Sequence, residues 1–254
     1  MTLLLGALTS DAVVLGADGI EFRHAPGVSK RQDLLDRQKL FFLDDHPIAV
    51  GIHGQNRLVS QGGSINSQWL AIDALPNLVQ KIDHDGTVDV LCRNVFDRLM
   101  SDVCFTFEIL ARAGILAAPL GILVVGFDHK RNIPRCYEAW WPLPNGPEQP
   151  RVIEHPRDRR IPAVMHSGDG ARYAKTAISH GGRYSIDRLK KTSLNETQQY
   201  VRALYKKAEM LQPREDIEFG GDYHEITVTP DRAEWTVACS PKRTLNPTGN
   251  KPAS

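Results

Sequence analysis

Cysteine is scarce: Cys92, Cys104, Cys136 and Cys239 are the four in 254 residues, with no CxxC pair and no Cys/His grouping at metal-ligand spacing. That speaks against a disulfide framework or a cysteine-built zinc centre, and reduced, partly buried thiols are expected. An excess of either charge is lacking as well. The 31 basic and 30 acidic residues interleave to a formal net charge of +1, which leaves no electrostatic footprint for nucleic acid or an anionic membrane surface. Long hydrophobic runs are missing too. The stretch Leu3 to Leu8 has no basic residue before it and breaks at Thr9-Ser10-Asp11, too short for a secretory core or a bilayer span. A soluble, cytoplasmic protein without a nucleic-acid or membrane partner is the expectation. With 41% apolar residues the chain can bury one sizeable core. One domain is therefore expected over residues 1–240, followed by a polar, Pro-rich, disordered tail over 241–254.

Strand signals come first along the chain. Leu3 to Ala7 and Ala12 to Ala17 read as a hairpin, and Lys39 to Leu43 with Ile48 to Ile52 read as a second one around Asp44-Asp45-His46-Pro47. Helical periodicity follows over Gln68 to Ile82 and Val88 to Ala113. Ile122 to Phe127 and Arg135 to Trp141 form a third hairpin, then a Pro-rich loop runs from Pro142 to Pro156. Ala163 to His166 reads as a buried strand leading into Ser167-Gly168-Asp169-Gly170 and a helix to Ser179. Ser193 and Glu196 have capping-box spacing ahead of a stripe of Val201, Leu204, Tyr205, Ala208 and Leu211. Tyr223 to Thr229 and Arg232 to Ala238 close the pattern as a last hairpin. Strands and helices in this order predict an α+β protein, an αββα sandwich of two antiparallel sheets covered by helices on their outer faces.

Four segments carry chemistry when taken together: Thr2 with Gly6, Val14 to Asp18, Lys39 to Phe42 leading to Gly51-Ile52-His53-Gly54, and His166 to Gly170. In this order they resemble the N-terminal nucleophile hydrolases of the proteasome β-subunit family, including its smaller bacterial homologues of the ancestral β-subunit and betaproteobacterial types. The resemblance extends to about Ala238. It implies the four-layer fold of that class and a threonine-type peptidase whose nucleophile is Thr2 once Met1 is removed. A threonine at a mature N-terminus supplies a hydroxyl and, on the same residue, an amine of pKa about 8 that can accept the hydroxyl proton.

The same resemblance gives the other positions their expected roles. Asp18, sixteen positions after Thr2, matches an aspartate that holds a cation and backbone groups around the nucleophile, and Lys39 matches a lysine that stabilises the alkoxide and pairs with it. Gly54 matches a glycine whose N–H meets the oxyanion, while Gly51 relieves crowding. Ser167 matches a serine that contacts the terminal amine, and Asp216 an aspartate that helps order that amine. Departures from the family pattern are the longer stretch between Glu21 and Gln38, Asp18-Gly19-Ile20 in place of aspartate-serine-arginine, and Phe219 in place of a second serine. Homo-oligomeric rings of identical subunits and a peptide or unfolded-protein substrate are further implications, with no organic cofactor and no metal-ligand residues assigned; a structural cation near the site stays open by the resemblance alone, and whether an ATPase partner exists is left open. Two other readings stay open: a ring-forming homologue without activity, and a small-molecule amidase. His46 and His53 are read as residues at a strand turn, and Trp140 and Trp141 as strand residues facing opposite ways.

Overall fold

The computed structural model describes residues 2–23, 32–34, 38–43, 46–54, 57–60, 69–70, 92–112, 115–116, 120–128, 133–141, 150–156, 160–213 and 217–238. In chain order the elements begin with β1 (Leu4–Leu8), β2 (Val13–Asp18), β3 (Glu21–Arg23), β4 (Gln32–Leu34), β5 (Leu40–Phe42), β6 (Ile48–Gly54), β7 (Arg57–Ser60) and β8 (Trp69–Leu70). Then come α1 (Cys92–Arg112), β9 (Ile115–Leu116), β10 (Leu120–Asp128), β11 (Ile133–Trp141), β12 (Arg151–His155) and β13 (Ala163–Ser167). The chain finishes with α2 (Ala171–Ser179), α3 (Leu194–Leu211), β14 (Tyr223–Val228) and β15 (Ala233–Val237).

Two five-stranded antiparallel sheets organise the molecule, one in the order β13-β1-β2-β14-β15 and the other β12-β11-β10-β6-β5. Alternation along each strand decides which side chains face which layer. Leu4, Leu8, Val13, Leu15 and Ala17 of the first sheet meet Leu40, Ala49, Leu123, Val125 and Phe127 of the second in one buried cluster between the sheets. The intervening residues face outward. Phe41, Val50, Ile52, Ile122 and Val124 pack under Val95, Phe96, Leu99 and Val103 of α1. Leu3, Leu5, Ala7 and Val14 pack under Ala174 and Ala177 of α2 and Val201, Leu204 and Tyr205 of α3. Both strand faces are therefore apolar, which is why β1 and β2 are buried along their whole length and read as near-continuous hydrophobic runs.

The hairpins, α2 and α3 stand where the pattern predicts them. Ser193 caps α3 by accepting the Glu196 N–H (3.3 Å) while the Glu196 carboxylate accepts the Ser193 N–H (2.7 Å). Trp141 faces α1 in the core and Trp140 the opposite layer, as alternation requires. Two readings need correction. Arg151–His155, placed in the Pro-rich loop, pairs with β11 as an edge strand, because Pro150 and Pro156 bound it without interrupting it. Trp69-Leu70, placed at the start of a helix, pairs with β7, and the remainder of that expected helix lies outside the described residues, as do Met1, Cys239 and the tail. Among the described residues no helix is long and apolar enough to cross a membrane.

Candidate functional site

Thr2 precedes β1 and is almost fully buried, at 2% exposure. Its carbonyl accepts the Gly170 N–H (3.1 Å) from the turn that opens α2. Gly168 in that turn has φ +86°, and a Cβ there would stand 2.3 Å from the Thr2 carbonyl oxygen and 3.4 Å from the His53 Cβ. Only a residue without a side chain fits between them in that left-handed conformation. The register that sets Leu4 opposite Ser167 brings the turn to this place.

Asp18, the last residue of β2, lies beside β1 because Leu4 pairs with Ala17. Its carboxylate accepts the Leu3 N–H at 2.8 Å, the Lys39 ammonium at 2.9 Å and the Gly220 N–H at 3.4 Å. Lys39, just ahead of β5, also donates to the Ile20 carbonyl at 2.6 Å. Asp18 and Lys39 are both buried, so each charge depends on the other and on these backbone partners to offset its desolvation. Gly54 ends β6 opposite Leu120 with φ +84°, next to His53.

Five of the six residues expected at the site thus stand at neighbouring strand ends: Thr2, Asp18, Lys39, Gly54 and Ser167. Asp216 lies outside the described residues. Phe219 is buried against Tyr205 of α3, ring centroids 5.7 Å apart, and belongs to the core beneath α2 and α3.

A second polar group, around Ser167, includes residues to which the resemblance gives no role. His53 is a buried strand residue of β6 rather than part of a turn, which corrects the earlier placement. Its Nε2 stands 2.8 Å from the Ser167 hydroxyl and 3.0 Å from Glu138 Oε1 of β11. The Ser167 hydroxyl itself donates to Glu138 Oε1, and His155 of β12 approaches Glu138 Oε2 to 3.7 Å. Sheet pairing assembles this group: His53 is opposite Gly121, which is opposite Trp140, and the imidazole and indole stack over that glycine at 5.0 Å and 4°. A Cβ at Gly121 would fall 2.0 Å from the imidazole. Burial pushes the Glu138 carboxyl up, but the imidazoles of His155 and His53 and the Ser167 hydroxyl outweigh it and hold the group well below the ordinary carboxyl range. A charged residue at an alternation position shared with inward-facing Cys136 and Trp140 was the available signal for this cluster.

The arrangement offers a buried Lys–Asp pair bound to the backbone N–H that follows Thr2, a glycine-rich turn that accommodates backbone at close range, and a fixed carboxylate–imidazole–hydroxyl group. Fold and site together define an α+β protein of two five-stranded antiparallel sheets with buried polar residues at neighbouring strand ends. No protein-family model matches the chain, and no curated protein matches it.

Proposed function

We propose that this protein is a threonine-type amidohydrolase of the N-terminal nucleophile class, acting on peptide bonds after loss of Met1 exposes the Thr2 amine. The observation that carries the reading is the buried Asp18–Lys39 pair, tied to the Leu3 N–H and hence to the residue after the nucleophile. In the reaction the Thr2 Oγ proton passes to the α-amine as Oγ attacks the substrate carbonyl carbon. The Lys39 charge favours the developing alkoxide, and the Gly54 N–H receives the oxyanion. The protonated α-amine then gives its proton to the leaving nitrogen as the C–N bond breaks, leaving an ester on Thr2. Water, deprotonated by the same amine, attacks that ester, and the amine returns the proton to Thr2 Oγ as the acid leaves.

Assembly into rings of identical subunits in the cytoplasm, enclosing the sites and admitting unfolded chains, belongs to the same proposal and is supported by the resemblance of the motifs. Intact mass of the purified protein tests the first step, since a retained Met1 removes the proton acceptor. Labelling with a peptidyl vinyl sulfone tests the second. Thr2 is expected to carry the adduct, and Thr2→Ala to lose both adduct and peptide hydrolysis; undiminished turnover in that variant refutes the mechanism.

A further inference from the structure

We propose that Glu138, steadied by His53, is a positioning residue that orients the Ser167 hydroxyl so that it can only accept a hydrogen bond from the Thr2 amine. This rests on the threonine mechanism above and adds to it two residues to which the resemblance gives no role.

A Ser–His–Glu set first suggests a second nucleophile at Ser167, and the geometry argues against that. In a working triad the hydroxyl and the carboxylate engage opposite nitrogens of the imidazole. Here both lie on Nε2, at 2.8 Å and 3.0 Å, while His53 Nδ1 is buried without a hydrogen-bond partner among the described residues. No proton can be relayed across the ring. The three groups form a closed triangle instead.

The triangle fixes directions. A carboxylate only accepts, a serine hydroxyl donates once and accepts at two lone pairs, and one imidazole nitrogen either donates or accepts. Since Glu138 is held anionic, it takes the Ser167 proton and the His53 Nε2 proton. Rotation of the imidazole away from this arrangement is blocked by the Trp140 stack and by the ring's close fit over Gly121. Ser167 is then left with acceptor capacity alone. It pairs opposite Leu4 and is followed by Gly168, which abuts the Thr2 carbonyl, so an amine on Thr2 meets it as a donor. The amine's lone pair stays free for the Thr2 hydroxyl proton. A serine able to rotate could donate to that lone pair and cancel the base.

The test uses the full chain with Glu138→Gln, Ser167→Ala and the double variant, labelled with the same peptidyl vinyl sulfone. Each single variant is expected to lower the maximal labelling rate about 10- to 100-fold, the scale of a misoriented catalytic group, with the half-saturating probe concentration within about twofold of the parent. Because Glu138 acts through Ser167, the double variant is expected to label no more slowly than the slower single one. Multiplying losses in the double variant, or parental labelling by Glu138→Gln, overturns the proposal while leaving the Thr2 mechanism standing. If Glu138→Gln does not fold, Ser167→Ala decides, and an unchanged labelling rate refutes the role. Failure of the unaltered protein to label refutes the threonine mechanism itself.

Discussion

The Lys39 ammonium stands 2.9 Å from the Asp18 carboxylate with both side chains almost completely closed to water. Neither charge would be tolerated there alone. Lys39→Met leaves Asp18 with backbone N–H donors only, and is expected to cost about 3–5 kcal/mol of stability, the usual scale for breaking a buried pair from one side. Adding Asp18→Asn neutralises the orphaned charge while keeping an acceptor for the Leu3 N–H. The double variant is therefore expected to be more stable than Lys39→Met in urea unfolding, and the opposite order would mean that the pair is not coupled.

Gly168 and Gly181 both have positive φ, +86° and +66°, but their surroundings differ. Among the described residues nothing stands within 4 Å of a Cβ at Gly181, whereas one at Gly168 collides with the Thr2 carbonyl. Gly181→Ala should cost only the left-handed penalty of about 1–2 kcal/mol. Gly168→Ala should cost more than that and also slow labelling of Thr2 at least about tenfold by displacing its backbone. Melting temperatures and labelling rates measured on the two variants separate these contributions.

Acid should destabilise the protein through Glu138. Its folded carboxyl is held below the ordinary value of 4.5, so the unfolded chain binds the proton more readily. The stabilisation is fully present above pH 4.5 and is lost as pH falls below it toward the folded value. Glu138→Gln is expected to flatten the decline of melting temperature in that window. An equally steep decline in the variant would place the acid sensitivity elsewhere.

Ser193→Ala removes both the side-chain acceptor for the Glu196 N–H and the hydroxyl that Glu196 holds at 2.8 Å. A loss of about 1 kcal/mol is expected in chemical unfolding, with no effect on labelling, because the bonds lost are local to the first turn of α3.

Local chemistry made much of the fold legible. The capping box announces α3, and short apolar runs on either side of polar turns announce the hairpins of β1 with β2, β5 with β6, β10 with β11 and β14 with β15. Arg151–His155 was hidden because two flanking prolines resemble a loop, although its central residues are free to pair. The site was readable where its residues follow a motif, as with Thr2, Asp18, Lys39 and Ser167. His53, Glu138 and His155 were not, since they meet through strand order: His53 and Ser167 are 114 positions apart. No local pattern carries that distance. Glu138 within an otherwise inward-facing apolar run was the single trace, and a buried acid alone does not name its partners.

The first strand lies between β2, made within moments of it, and β13, made about 160 residues later in the same chain. Asp18 waits longer still, because one of its donors, Gly220, is 202 positions away. β1 is made before either neighbour exists, and the five-stranded sheet is complete only after Val237 has left the ribosome. On the proposed mechanism the Thr2 hydroxyl is therefore an ordinary one in the growing polypeptide, and would become a cutting edge only once the strands around it have paired.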